Sequence, residues 1–388
     1  MRLRLPVFAF SLLLASPALA QCGGDFAGFV AALKVDIRAE GLTAAQTDRF
    51  LAGVVQDPKV LRADRAQGIF RKDFIEFSRA LVSQNRMQLG AARLRDHRAT
   101  FDRAEAEYGV ARGVLAAFWG LETDFGAFQG DVNTRDALVT LAHDCRRPEL
   151  FRPQVLAAAR LFARGDFDTA TTGAWAGEIG QVQMLPGDIE TDGVDGDGDG
   201  HVLLKTSAAD ALLSGASMLR SLGWRRGEPW LQEIIVPEGL DWSRTGLTVQ
   251  LATAEWAALG VQAREGALAR GLQGSVLLPM GRKGPAFMAY PNFSVLFEWN
   301  QSFAYVNTAA YFATRLEGAP VYLPGSPEPM LGLDDMKALQ RKLAARGHDV
   351  GAIDGILGAQ TRAAVQKEQA RLRLPADAWP TADLLARL

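Results

Sequence analysis

Glu122 stands inside the apolar run "FWGLETDFG", Phe118 to Gly126, and is the residue of this sequence best suited to handling a proton. An ionised carboxylate loses hydration among aromatic and aliphatic neighbours, so this setting raises its pKa and holds the acid protonated nearer neutrality. Such an acid can donate to a leaving group. Stripped of its neighbours, a glutamate at a helix end would be a solvated surface residue; the aromatic and glycine setting argues for the donor. A second cluster, "DGDGDGH", sets Asp195, Asp197 and Asp199 at alternate positions, with Gly200 sixth and the backbone carbonyl of His201 seventh. That is the pattern of an EF-hand loop, although Thr206 occupies the twelfth position, where a glutamate is usual. Calcium there would be structural, because no substrate chemistry surrounds these residues. Sodium or a bare acidic turn is the alternative.

The elements that must carry these residues are mainly helical. From Phe26 to about Leu121 apolar residues recur at helical spacing, as in "FAGFVAALKVDI" and "GVARGVLAAFWGL". Residues 173 to 200 are rich in glycine and turns, and "AADALLSGASMLRSLGW" returns to an amphipathic helix. Between Ile234 and about Phe297, "GLTVQLAT", "GSVLLP" and "FMAYP" read as short strands. "VYLPGSPEPM", with three prolines, reads as a linker at 323–330.

"WGLETDFG" resembles the catalytic motif of the membrane-bound lytic transglycosylase B family, lysozyme-like enzymes that cleave peptidoglycan. The resemblance continues through "DALVTLAHDCRR", "GAWAGEIGQVQMLP", "VDGDGDG", "SLGW" and "PNFSVLFEWNQSFAY", over roughly residues 26 to 317. It implies that Glu122 is the catalytic glutamate and that Gln183, Asn300 and Tyr305 contact substrate, with Trp299 in place of a usual tyrosine. It implies also that Arg146 and Arg147 meet lactyl or peptide carboxylates, with a solvated surface pair as the bland reading, and that Asp210 closes the acidic loop. The sequence departs from the family at Ala174, where a serine is frequent, and at Met184, where a phenylalanine is common. Glu178 is an additional acid, read as structural. The implied reaction cleaves the bond between N-acetylmuramic acid and N-acetylglucosamine, with one glutamate as acid and then base and a 1,6-anhydro ring as product. A hydrolytic muramidase and a catalytically weak wall-binding scaffold are the rival readings.

The tail from about Leu331 to Leu388 resembles a small three-helix peptidoglycan-binding domain, through "MKALQRKLAARGHDVGAIDGILGAQTRAAVQKEQ" and "LPADAWPT". Its expected core is Leu339, Leu343, Val350, Ile353, Thr361 and Val365. Glu368 and Ala378 depart from the pattern, the second at a position where glycine is frequent. The expected organisation is therefore a signal peptide at 1–20, a lysozyme-like catalytic domain with a small mixed α/β insertion at 21–322, the linker, and the helical module at 331–388.

Composition agrees with that outline. A net charge of -2 over 388 residues gives no bulk attraction to nucleic acid, and 48% hydrophobic residues suffice for a large core. Arg2 and Arg4, the apolar stretch Val7 to Leu14 and Ala18-Leu19-Ala20 form an export signal, too short to span a bilayer comfortably. Gln21 before Cys22 disfavours a lipoprotein, so a mature chain without a membrane span is expected in the periplasm. Cys22 and Cys145 are the only cysteines. In an oxidising compartment they count as one disulfide, worth about 4 to 5 kcal/mol in the chain-entropy model, against the alternative of two buried thiols. Glycan strands are the expected partner, with no catalytic cofactor; no protein partner is named by the sequence.

Overall fold

The computed structural model describes residues 22–66 and 72–388; the expected signal peptide lies outside the described residues. The chain is mainly helical, as its periodicity predicts. Its centre is the helix Arg112–Thr123, in which nine of twelve residues are buried, so that it serves as the core about which other helices pack. Against it lies Phe303–Leu316, itself buried from Tyr305 to Ala313. The approach is close because Gly113 has no side chain: a Cβ there would stand 2.8 Å from the Ala313 carbonyl oxygen. Phe101, Phe118, Trp119, Phe293 and Phe312 fill the space between helices, each 2% exposed or less. Burying side chains of this size supplies most of the driving force for such a core.

Two strand pairings interrupt the helices. β1 (Val132–Asn133) pairs antiparallel with β2 (Thr172–Gly173), which brings the segment after Glu122 beside the glycine-rich turn. The insertion is a five-stranded antiparallel sheet in the order β4-β6-β7-β3-β5, made of β3 (Leu231–Ile235), β4 (Leu251–Ala252), β5 (Gln262–Ala263), β6 (Gln273–Leu277) and β7 (Phe287–Ala289). Sequence patterning marks β4, β6 and β7, but β3 and β5 lie outside the expected strands. The sheet has its own core of Trp256, Val276, Met288 and Tyr290. Cys22 and Cys145 form a disulfide with Cα atoms 5.1 Å apart, and the Gly23 amide donates to the His143 carbonyl at 2.7 Å.

The C-terminal module consists of helices Leu333–Ala345, Ala359–Arg371 and Ala382–Arg387 around Met336, Leu339, Leu343, Val365 and Leu384. Thr361 is buried with them, whereas Ile353 is 44% exposed and does not belong to the core: it lies in the turn before Asp354, where the backbone is held instead by the buried Gln340 carboxamide. The segment 323–330 has no regular secondary structure, yet it packs on the catalytic half: Ser326 donates to the Lys283 carbonyl at 2.8 Å, and Lys283 pairs with Glu328.

Ala378 has φ +61°, a left-handed conformation, which explains why glycine suits the position. Its amide is held by Gln369 Oε1 at 2.9 Å, so the turn cannot relax. Ala378→Gly is expected to raise the stability of the module by about 1 kcal/mol, read as a higher midpoint in denaturant with an unchanged slope.

Candidate active site

The catalytic candidate sits where the central helix stops. Asp124, Phe125 and Gly126 are all left-handed, with φ of 52°, 61° and 88°. Two consecutive non-glycine residues in that region cost on the order of 1 to 3 kcal/mol each, so the turn must be held by its surroundings. Arg86 Nε donates to Asp124 Oδ1 at 3.0 Å, and Phe125 is buried edge-on to Trp119 at 5.7 Å. Thr123 Oγ1 donates to the Gln181 carbonyl at 2.6 Å and accepts from the Gly126 amide at 2.9 Å, and Trp119 Nε1 donates to Gln181 Oε1 at 3.0 Å. The helix end is thereby pinned to the turn 178–184.

Glu122 is left half-buried on this rigid corner. Trp299 Nε1 donates to its Oε1 at 3.3 Å, and the Tyr305 hydroxyl donates to the same oxygen. Trp299 is itself fixed by stacking on Phe118, centroids 4.5 Å apart and planes 22° from parallel. Burial pushes the Glu122 carboxyl up to about 7, against the two hydrogen bonds, which favour the anion; the charge of Glu178 adds a further push upward. The position works in the same sense, since the C-terminal end of a helix dipole disfavours a negative charge. At neutral pH the group is therefore divided between acid and base. Proton transfer in both directions needs a group of that kind.

The sequence matches the transglycosylase SLT domain family over residues 25–314 and the peptidoglycan binding domain family over residues 333–388. The chain belongs to the transglycosylase SLT domain family. SltB3 of Pseudomonas aeruginosa, solved with NAG-anhNAM-pentapeptide, is 38% identical, with a TM-score of 0.86 over 94% of this chain and 99% of its own. The membrane-bound lytic murein transglycosylase B of Escherichia coli K12 is 27% identical over 237 residues, 60% of this chain and 64% of that protein, so the match spans under two thirds of that relative. Slt35 of Escherichia coli, solved with calcium, shares the fold at 24% identity and a TM-score of 0.65 over 78% of this chain and 98% of its own. The lysozyme-like fold expected from the motifs is thus the fold of the SLT domain.

Around the Glu122 corner of this SLT domain the remaining candidates divide. Trp299 and Tyr305 converge on the acid. Gln183 has a left-handed φ of 55° and donates its amide nitrogen to the Gly180 carbonyl at 2.7 Å and the Gln129 carbonyl at 3.4 Å. Asn300 caps a turn, its Oδ1 accepting from the Ser302 amide at 2.9 Å. Arg146 and Arg147 are both engaged by the buried Asp64, Arg146 Nη1 at 2.5 Å from Oδ2. Burial works to raise the Asp64 carboxyl, but the two guanidiniums hold it below its ordinary value. Met184 is a core residue, bridged to Ile179. Glu178 is half-buried, its Oε2 has no hydrogen-bond partner among the described residues, and burial pushes its carboxyl up.

In the acidic loop, Asp195, Asp197 and Asp210 place carboxylate oxygens within 4.8 Å of one another. Asp199 is not among them; its Oδ1 accepts from the His201 amide at 2.8 Å. His201 Nδ1 lies 3.1 Å from Asp166 Oδ1, which turns that ring nitrogen to Asp166. Three hard carboxylate donors converging on one point fit a calcium-sized ion. Asp210 also accepts from the Gly196 and Leu203 amides at 2.9 and 2.7 Å, tying the loop to the helix Ala208–Ser221.

Residues that sequence reasoning missed are the supports: Arg86, Thr123 and Gln181. Thr123 and Gln181 lie inside quoted motifs, after Glu122 in "WGLETDFG" and as the first glutamine of "GQVQ", whereas Arg86 lies in none. For Tyr305→Phe, removal of one donor to the carboxylate is expected to cost its ionised form about 1.5 to 3 kcal/mol, which moves the Glu122 pKa upward by roughly one to two units. A pH profile of kcat/KM should show its alkaline limb displaced to higher pH; an unmoved limb would mean that the hydroxyl does not serve the acid.

Proposed function

We propose that this chain is a peptidoglycan lytic transglycosylase in which Glu122 acts first as acid and then as base. In its protonated form Glu122 gives its hydrogen to the glycosidic oxygen between N-acetylmuramic acid and N-acetylglucosamine. The muramoyl N-acetyl group stabilises the positive anomeric carbon. The resulting carboxylate, held by Tyr305 and Trp299, takes the proton of the C6 hydroxyl of the same sugar, whose oxygen closes on the anomeric carbon as a 1,6-anhydro ring. Tethering of that nucleophile replaces the capture of water. The observation that carries the reading is a carboxyl that burial raises to about 7 while two donors meet on one of its oxygens. SltB3, the relative solved with an anhydro-sugar peptide, supports the product.

Gln183 and Asn300 supply amide contacts to the sugar, and Arg146, 44% exposed at its side chain, meets a peptide carboxylate from its place beside Arg147 on the shared Asp64. The C-terminal module holds the wall. Asp195, Asp197, Asp210 and the His201 carbonyl would hold calcium, which supplies cross-linking charge to the loop and takes no part in bond cleavage. Asp199 stands outside that set. The export signal and the disulfide support a periplasmic location, and no described helix is long and apolar enough to cross a membrane.

A second reading, hydrolysis by a captured water, is favoured by Glu178, a second acid within electrostatic reach of Glu122. Mass spectrometry of digested sacculi separates the two. Anhydromuramoyl ends are expected; reducing muramic acid ends would establish the muramidase.

A further inference from the structure

The C-terminal module does not hang from a free tether. Gln366 Nε2 donates to the carbonyls of Trp242 at 3.1 Å and Thr245 at 2.9 Å, Arg282 pairs with Asp377 at 3.2 Å, and Trp379, 2% exposed, donates to the Glu328 carbonyl at 2.9 Å. The most constrained contact is made by Arg362. Its Nη2 donates to the Pro279 carbonyl at 2.6 Å and its Nη1 to the Leu278 carbonyl at 3.5 Å. Its guanidinium lies 4.6 Å from the Phe303 ring centroid and 5.7 Å from that of Trp379. Nε has no partner among the described residues, and burial pushes the group down to about 10, so a cation is held here with its desolvation only partly offset. Cavities of about 260 and 80 Å³ flank it, and both are lined by Phe303 and Arg362. The Phe303 ring is held between the Arg362 guanidinium and the Phe297 ring, whose centroid lies 6.2 Å away. Phe303 opens the helix that carries Tyr305 two residues later, and it follows the Trp299–Ser302 segment directly.

We propose that Arg362 is a positioning residue for the reaction: by clamping the Phe303 ring it fixes the first turn of the helix Phe303–Leu316, and with it the Tyr305 hydroxyl and Trp299 indole that bond to Glu122. The module is then part of the catalytic apparatus as well as an anchor. This rests on Glu122 being the acid, as proposed above.

The test compares full-length wild type with Arg362→Ala, Phe303→Leu and Gln366→Ala on soluble glycan fragments too short to need the wall anchor, with sacculus binding measured in parallel. Arg362→Ala and Phe303→Leu are expected to lower kcat about tenfold to a hundredfold, the scale of a small misplacement at a reacting centre, while KM and sacculus binding stay within twofold. Gln366→Ala, which removes the bonds to Trp242 and Thr245 and leaves the Arg362–Phe303 contact in place, should leave kcat unchanged. Scattering measurements report whether the module remains docked, and the Phe303→Leu variant, which keeps every polar docking contact, covers an Arg362 variant that fails to fold. Unchanged kcat in Arg362→Ala or Phe303→Leu, or an equal loss in Gln366→Ala, would overturn the assignment. The wild-type product and the activity of Glu122→Gln decide the underlying reading separately: anhydro ends with unaffected Arg362 and Phe303 variants sink only this inference.

Discussion

Glu122→Gln is expected to abolish glycan cleavage, lowering kcat by a factor on the order of a thousand or more, while the fold and wall binding persist. The substitution keeps the shape and the acceptor oxygen to which Tyr305 and Trp299 donate, and removes the transferable proton. General acid and base action by one group typically contributes about 10² to 10⁴-fold per step, and in the proposed mechanism both steps pass through the same side chain. The wild-type alkaline limb should lie near pH 7, because only the protonated acid starts the reaction. Stability changes with a definite sign. The folded pKa of about 7 lies above the ordinary glutamate value of 4.5, so stability is fullest below pH 4.5, declines between 4.5 and 7, and is flat above. This one group accounts for roughly 3 kcal/mol over that window. Glu122→Gln should flatten that part of the pH dependence and melt higher than wild type at pH 8. A variant that cleaves at a wild-type rate would point to another acid, Glu178 first.

Asp210→Ala is expected to give the largest loss of stability of any single change in the acidic loop. Asp210 is 1% exposed and receives the Gly196 and Leu203 amides as well as the Ser207 hydroxyl. Deleting the carboxylate strands two backbone donors, each costing about 1 to 3 kcal/mol, so a total of about 3 to 5 kcal/mol and a fall in Tm of roughly 10 °C are expected. If calcium occupies the site, added calcium raises the wild-type Tm and a chelator lowers it, and neither affects Asp210→Ala. A calcium-independent wild-type Tm would leave Asp210 as a hydrogen-bond hub alone.

How much of this was readable from residues follows from the range of the interactions. The apolar setting of Glu122 is local, and so is the acidic repeat, so both stood out. Two cysteines admit one pairing. The supports of the site were hidden because they join distant segments: Arg86 reaches Asp124 from 38 positions away, and Asp64 draws Arg146 and Arg147 into an ion pair from 82 and 83. Strand β3, "LQEII", buries only Leu231 and Ile234, a spacing that alternation does not detect, and its pairing with β7 defines it as a strand. The resemblance of the tail places Ile353 in the core; the turn around it is held by hydrogen bonds to Gln340 and leaves the side chain outside. Period and composition register what neighbours in the chain share, and tertiary pairing decides the remainder.

The Cys22–Cys145 bridge joins residues 123 positions apart. A chain emerging into an oxidising compartment must carry the first thiol unmatched until the second has been delivered, together with everything between them. Because the sequence holds no third cysteine, no mispaired isomer can form within one molecule. The only faulty disulfides open to it join another molecule, so in an oxidising compartment dilution, rather than isomerase shuffling, favours the correctly closed protein.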